Sequence, residues 1–177
     1  GTDGNIISYD ASGNPVAIAT GSSGQVLTSG GAGAAPSFAA AGGGKLLQVL
    51  IVSDTTPMSL SSTTYTDTNL SLSITPSATS SKILVMWNVQ AEADIAGAGF
   101  GTRLVRGSTN VYTSTTAYDT YTAVIDVRVR SDYKYLDSPS TTSAVVYKVQ
   151  VSTYSSKQMN FNDASNQTQL VLMEIGA

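Results

Sequence analysis

The chain has 177 residues and a formal net charge of −3, and only 12% of its residues are charged. A chain of this length can bury a sizeable core, and its charge argues against a basic nucleic-acid-binding face. It contains neither cysteine nor histidine, which excludes disulfides, Ser-His-Asp and Cys-His catalytic sets and ordinary zinc sites. No apolar run approaches the roughly 20 residues that cross a membrane. We therefore expect no cofactor, no metal, no nucleic acid and no membrane insertion.

Residues 1–44 differ in composition from the rest of the chain, because they hold 11 of the 16 glycines and no lysine or arginine. They also contain a repeat. The sequence GNIIS at residues 4–8 leads to GNP at 13–15, and GQVLT at 24–28 leads to GAAP at 33–36. This pattern predicts two short strands, each followed by a turn built on glycine and proline.

The composition of residues 1–44 also fits a flexible linker. A linker, however, has no reason to carry the spaced apolar residues Ile6, Ile7, Val26 and Leu27. Short strands that cannot build a core alone can be buried when three copies wrap around a common axis. We predict an extended arm or intertwined trimeric stalk, in which these four residues are the docking or stalk anchors.

The segment GNIISYDASGNPVAIATGSSGQVLTSGGAGAAPSF resembles a repeat of bacteriophage tail-fibre and other virion structural proteins, especially those of marine phages. In that repeat G-Q-V-L-T-S-x-G-A-G-A-A-P is typical. Residues 24–36 match it almost letter for letter, and residues 4–15 are a looser copy. The resemblance implies a structural protein on the exterior of a phage particle, without identifying the part of the particle.

From Lys45 the composition becomes that of a folded β domain, and the triplet Gly42-Gly43-Gly44 marks the predicted boundary. The sequence KILVMWNVQAE at residues 82–92 contains the most concentrated apolar run and the only tryptophan, and it predicts the central strand. Its first half is apolar on both faces. We therefore expect both faces to be covered, either inside a sandwich or at a subunit interface.

Other strands are predicted where apolar and polar residues alternate. They are expected at residues 45–53, 70–75, 102–106, 111–115, 122–130, 145–152, 159–161 and 169–175, with loops at 54–62, 76–81 and 93–101. No segment has a helical period. Eight to ten strands without helices predict an all-β fold, an antiparallel jelly-roll-like β-sandwich over residues 45–177.

The β domain resembles the C-terminal domains of the same phage proteins. The resemblance is carried by SLSITPSATSSKILV, LDSPSTTSAVVYKVQV and the closing LVLMEIGA. It implies a homotrimer, which the alternation of apolar and polar residues does not.

Five of the nine tyrosines lie between residues 111 and 135. Tyrosines in loops at the tip of a sandwich can stack on sugar rings and donate hydrogen bonds, although tyrosine also suits strands and half-buried edges. The candidate contacts to a host-surface glycan are Tyr118 and Tyr121, which lie in a threonine-rich stretch, followed by Tyr133 and Tyr135.

Charged residues offer two further possibilities. The arginines are Arg103, Arg106, Arg128 and Arg130. They could bind acidic sugars, but Arg128 and Arg130 fit better as the polar face of a strand, paired with neighbouring acids. Glu92 and Asp94 could be the paired carboxylates of a glycosidase, yet a glycine-rich rim is a better setting for two solvated acids.

The leading hypothesis is a non-enzymatic phage virion protein, a homotrimeric fibre or adhesin module that contributes to host attachment. The alternative is a capsid decoration, cement or head-fibre protein that stabilises the shell through its N-terminal arm. A third and more distant hypothesis is a polysaccharide depolymerase. The expected partners are two further copies of the chain, other virion proteins such as capsid, tail or fibre subunits, and a host glycan.

Overall fold

The computed structural model describes residues 4–41, 45–114, 118–162 and 167–176. The chain divides into two compact units, Gly1–Gly44 and Lys45–Ala177, and both are built from antiparallel strands. In the described ranges the one helical element is the 3₁₀ turn Tyr154–Ser156. The triplet predicted as the boundary, and Thr115 at the end of a predicted strand, lie outside the described residues.

The first unit consists of two β-hairpins. Strand β1 (Ile6–Tyr9) pairs with β2 (Pro15–Ile18), and β3 (Gln25–Thr28) pairs with β4 (Ser37–Ala40). The predicted strands are β1 and β3. The returning strands β2 and β4 escaped prediction because PVAI and SFAA are too short and too rich in small residues to show alternation.

The sequence repeat of the first unit has a backbone cause. The glycine before each leading strand has a positive φ, +86° at Gly4 and +85° at Gly24. The turn glycines match as well, with φ of +81° at Gly13 and +79° at Gly33. Glycine adopts this left-handed region without steric cost, so both hairpins need glycine at the same two places.

In its described residues the second unit contains eleven strands, which form two sheets. They are β5 (Lys45–Asp54), β6 (Met58–Leu60), β7 (Thr66–Ile74), β8 (Lys82–Ala93), β9 (Ala98–Arg106), β10 (Thr109–Thr113), β11 (Thr120–Thr122), β12 (Val127–Asp137), β13 (Val145–Thr153), β14 (Met159–Phe161) and β15 (Thr168–Gly176). One sheet has the order β5-β15-β8-β12, with β14 and β6 attached to the end of β8. The other has the order β7-β13-β9-β10, with β11 beside β9.

The eight main strands pair in a nested way. The first pairs with the last (β5 with β15), the second with the seventh (β7 with β13), the third with the sixth (β8 with β12) and the fourth with the fifth (β9 with β10). The chain is thus a long hairpin rolled up so that successive pairs alternate between the sheets. This is the jelly-roll topology, and it confirms the predicted β-sandwich.

The predicted central strand is β8, which pairs with β15 on one side and β12 on the other. Its inward residues are buried, and they include Trp87, which is 3% exposed. The Trp87 indole donates a hydrogen bond across the sandwich to Thr102 Oγ1 at 3.2 Å. Tyr133 stacks on the indole, with ring centroids 5.2 Å apart. The only tryptophan therefore joins the two sheets at the middle of the core.

A second polar link joins the sheets near the start of β8. The buried carboxylate of Asp137, at the end of β12, accepts hydrogen bonds from Arg106 at 2.8 and 2.9 Å and from the Tyr147 hydroxyl at 2.6 Å. Burial and the neighbouring carboxylate raise the pKa of Tyr147. Because Arg106 and Tyr147 belong to the opposite sheet, this cluster holds the two sheets together.

Three predicted segments differ from the structure. The predicted loop 54–62 contains the short strand β6 (Met58–Leu60), which pairs with β14. The predicted loop 93–101 is mostly strand, because β9 already begins at Ala98, and Ala98 and Phe100 are fully buried. The predicted strand 122–130 is broken at residues 123–126, where Asp126 has a φ of +57°. The Thr122 hydroxyl bonds to the backbone of Val124 there, and such local bonds compete with strand pairing.

The inward side of β15 carries Glu174, which is fully buried. Its carboxylate accepts hydrogen bonds from the Ser77 amide at 2.6 Å, from the Ser77 hydroxyl at 3.1 Å and from the Gln48 side chain. Burial alone would raise the pKa of Glu174, but the hydrogen bonds from Gln48 and Ser77 outweigh it and lower the pKa. The carboxylate therefore fastens the β7–β8 loop to β15 and β5.

We expect Glu174→Gln to lower the free energy of unfolding at neutral pH by about 1–3 kcal/mol, because an amide NH₂ would face existing donors. Since the folded pKa lies below the ordinary 4.5, the carboxylate stabilises the fold above the unfolded pKa. This contribution is lost as the pH falls through the folded pKa. In urea unfolding, the difference between wild type and variant should therefore shrink on acidification. A difference that does not depend on pH would contradict this role.

Candidate functional site

Two connecting segments meet at the end of the sandwich where β8 finishes, and we call this region the tip. They are residues 94–97, between β8 and β9, and residues 123–126, between β11 and β12. The Gly97 amide donates to the Thr122 carbonyl, and the Asp126 amide donates to the Ala93 carbonyl, both at 2.8 Å. These bonds anchor both segments, so the tip is a defined surface.

Three tyrosine rings cluster at the tip. Tyr118 packs edge-on against Tyr154 with centroids 4.5 Å apart, and Tyr121 lies 5.3 Å from Tyr118 and 5.8 Å from Tyr154. Tyr121 is 48% exposed, and the other two are half-buried. The structure thus brings together the two first-ranked candidates, Tyr118 and Tyr121. Their neighbour Tyr154 was missed, because it lies in the 3₁₀ turn between β13 and β14, far away in sequence.

The surroundings of the tyrosine cluster are mixed. The Lys157 ammonium donates to the Ala96 carbonyl at 2.6 Å, which places a positive charge beside the rings. Large apolar side chains are exposed nearby: Ile95 is 44%, Val124 59% and Ile125 57% exposed. Aromatic faces, hydroxyl donors and exposed apolar surface suit contact with a ligand.

Close backbone packing positions Tyr121. A Cβ added to Gly99 on β9 would lie 2.2 Å from the Thr120 carbonyl oxygen on β11. Only glycine fits at this separation. The short strand β11 can therefore lie directly against β9, and this pairing sets the position of Tyr121.

The other two candidate tyrosines lie elsewhere. Tyr133 and Tyr135 are on β12 and not in a loop, and both are half-buried. Tyr133 stacks on Trp87 and donates to Asp119 at 3.1 Å, and burial raises its pKa. Tyr112 lies 6.3 Å from each of them. They form a second aromatic cluster that lines the core, and their role as receptor contacts stays a prediction.

The arginines have partners within the fold. Arg103 lies over the Tyr65 ring at 3.9 Å, Arg106 binds Asp137, Arg128 binds Glu92 at 3.1 Å and Arg130 lies 3.6 Å from Asp132. The prediction that Arg128 and Arg130 form the polar face of a strand and pair with acids is confirmed.

Glu92 and Asp94, the two carboxylates considered as a catalytic pair, each bind a different side chain. Glu92 binds Arg128, and Asp94 accepts a hydrogen bond from the Asn160 amide at 2.5 Å. Within the described ranges, no group of three or more acidic residues could hold a metal ion. The same ranges contain no helix long and apolar enough to span a membrane.

The predicted anchors of the arm are open to solvent in the single chain. Ile7 is 71% exposed, Val26 and Leu27 are each 46% exposed, and Ile6 is 38% exposed. Each lies on the leading strand of a hairpin, β1 or β3. They are available for burial against a partner, and their function as anchors stays a prediction.

No protein-family model matches the sequence, and no curated protein matches it. Solved structures that resemble the fold come from infectious bursal disease virus. Its VP2 subviral particle has a TM-score of 0.46 at 11% identity, with 72% of this chain and 38% of that chain covered. A crystal structure of a whole particle of this virus has a TM-score of 0.48 at 11% identity, covering 92% and 43%.

A structure of the Gx strain has a TM-score of 0.44 at 9% identity, covering 86% of this chain and 37% of that chain. The chain thus spans about two fifths of the length of these viral proteins. The likenesses are too distant to indicate a function.

We expect Gly99→Ala to lower the free energy of unfolding by about 1–3 kcal/mol, because the added methyl group would force β11 away from β9. The measurement is chemical denaturation. The control is Gly107→Asn, since Gly107 has open space around it and a φ of +59°, which asparagine tolerates. Equal effects of the two substitutions would contradict the close packing of β11.

Proposed function

We propose that the chain is a non-enzymatic structural protein on the exterior of a bacteriophage particle, a homotrimeric fibre or adhesin module that contributes to attachment to a host-surface glycan. One observation carries this proposal. The tyrosine cluster lies at the end of β8 that carries Ala93, whereas Lys45, where the arm joins, lies near the opposite end. Lys45 pairs with Gly176, and the adjacent Ile175 pairs with Lys82 at the start of β8.

This arrangement suits an attachment protein, because the site that contacts the receptor is distal to the point of tethering. A strand of twelve residues is about 40 Å long at about 3.3 Å per residue. The tip therefore lies far from the base of the β-sandwich of residues 45–177, which we call the head. Jelly-roll domains occur in viral capsid proteins and lectins. The fold is compatible with the role but does not specify it.

The arm supports assignment to a phage particle. Its repeat resembles that of phage virion proteins, and each copy forms an antiparallel hairpin with glycines of matching φ. Three heads on one stem would raise avidity for a repeated glycan, so individually weak tyrosine contacts would suffice.

We expect the double variant Tyr118→Ala/Tyr121→Ala to lose at least about tenfold in affinity for glycans that the wild type binds, because aromatic contacts dominate such surfaces. The measurement is binding to an array of bacterial surface polysaccharides. Tyr9→Ala is the control, since Tyr9 is 68% exposed on the arm. Undiminished binding by the double variant would contradict a site at the tip. A fall in polysaccharide viscosity on incubation with the protein would instead support a depolymerase.

A capsid decoration protein is the second candidate function. The exposed anchors of the arm favour it. An arm that docks between capsid subunits needs small residues, few charged residues and a few apolar side chains. In this case the arm would become ordered against the shell and not against its own copies.

The mass of the full chain and of residues 45–177, measured by sedimentation, separates the two candidates. Under the fibre proposal, in which the arm is an intertwined stalk, we expect a trimer for the full chain and weaker association without the arm. A trimer that is equally stable without the arm would favour the decoration role, because the arm would then be free to dock elsewhere. A monomer in both cases would contradict the homotrimer.

A further inference from the structure

The outer face of the sheet β5-β15-β8-β12 points away from the core. It is apolar in the half that lies nearest the start of β8. The strand register places its residues in three rows that cross the sheet. From β5 towards β12, the rows are Ile51, Val171, Met86 and Lys134; then Val49, Met173, Leu84 and Leu136; then Leu46, Ile175 and Lys82. Nine of these eleven side chains are apolar.

This apolar surface, which we call the outer patch, is accessible to solvent. Leu46 is 60%, Val49 49%, Ile51 58% and Leu136 49% exposed. The apolar residues of the outer patch on β15 and β8 are half-buried. Soluble monomers rarely expose a contiguous apolar surface that spans four strands, and such surfaces mark interaction sites.

The other half of the same face carries charges of both signs. Along β12 the outward residues Arg130, Asp132 and Lys134 alternate in sign, and Arg128 lies beside Glu92 of β8. Asp132 is largely exposed, with 72% of its side chain accessible. A surface of one sign would repel its own copy. A surface that carries both signs can meet a different part of the same face on another copy, because positive groups can then lie opposite negative ones.

The size of the face also suits association between copies. At the usual strand and residue spacings, the outer patch covers a plane on the order of 300 Å². The charged half adds a comparable plane, and together they come to about 600 Å², the lower end of what each partner contributes to a specific interface. An apolar core beside a charged rim is the common layout of such an interface. A shallow depression of about 350 Å³, lined by Met86, Val171 and Lys134 among others, lies where the two halves meet.

We propose that the outer patch is the surface through which three copies of this chain associate, with each outer patch packed against the outer patches of the two other copies around a threefold axis. This inference rests on the proposed homotrimer and names its contact surface in the head. The apolar rows of β5, β15 and β8 form the dry centre, and the charges of β12 fix the orientation. The tip lies at the other end of β8, beyond the charged half of the face, and remains free for the glycan.

The test is the sedimentation mass of the full-length chain over a range of concentrations. We expect Val49→Lys/Ile51→Lys to raise the dissociation constant at least about tenfold, because two lysines would have to be desolvated in the interface. Val124→Lys/Ile125→Lys is the matched control, since these residues are 59% and 57% exposed at the tip. A variant on the outer patch that assembles like the wild type and the control overturns the proposal.

A second variant covers the case in which lysines disturb β5. Val49→Thr/Ile51→Thr retains the branched shape that strands favour and should also weaken assembly.

Because the chain has no cysteine, Ile51→Cys and Ile125→Cys each provide a unique thiol for labelling with a maleimide. We expect the thiol at position 51 to react slowly in concentrated protein and rapidly after dilution, and the thiol at 125 to react rapidly in both. A slow reaction at every dilution would mean that the chain covers its own patch, and a fast reaction at every concentration would mean that nothing covers it. Either result overturns the proposal.

The outcomes separate this inference from the proposed function. A wild-type trimer that is insensitive to changes in the outer patch contradicts the inference and leaves glycan attachment intact. Loss of assembly in the variants, with no glycan bound by the wild type, supports the inference and contradicts the attachment role.

Discussion

The position of β8 between β15 and β12 is the constraint on which the head depends. Strand β8 is the third strand of the nested pairing, and it lies between the sixth strand, β12, and the last, β15. Its inward residues fill the centre of the sandwich. Trp87 adds a hydrogen bond to the opposite sheet at Thr102. Because this bond is buried, removal of the Thr102 hydroxyl would leave the indole N–H as an unsatisfied donor in the core. The tryptophan therefore fixes the position of one sheet against the other, and it also fills space in the core.

The two faces of the same strand have different roles. Alternation along β8 sends Ile83, Val85 and Trp87 to the core, and Leu84 and Met86 to the outer face. The inner face completes the fold within one chain. The outer face carries apolar rows that continue onto β5, β15 and β12, where several of the side chains are exposed. A strand that is apolar on both sides thus serves folding with one side and is available for association with the other.

Much of the head could be predicted from sequence, because strand alternation is a local pattern. The central strand, β7, β13 and β15 follow from it directly, and so does the absence of helices. The start of β9 could not be predicted, since Ala98 and Gly99 are too small to give a clear apolar signal, and the strand there depends on distant partners, namely β11 and Phe161, which contacts Phe100. The break before β12 could not be predicted from the sequence, because it depends on hydrogen bonds between the Thr122 hydroxyl and the backbone of Val124.

The tip shows the same limit. Tyrosine density pointed to the stretch around Tyr118 and Tyr121, yet whether a tyrosine lies in a loop or on a strand is a tertiary property. Tyr133 and Tyr135 face the core because β12 begins at Val127 and alternates from there. Tyr154 joins the tip only because β13 ends beside β9, which no local pattern reveals.

The pairing of β5 with β15 has a mechanical consequence. Strand β5 begins at Lys45 and runs towards the tip, and its hydrogen bonds to β15 lie perpendicular to the strand. A pull on the arm against a head held at its tip would act along β5, so it would load all of these bonds in shear at once. They would have to break together and not one after another, as they would in an unzipping hairpin. The nested topology thus places the strand that bears tension in the geometry that best resists it.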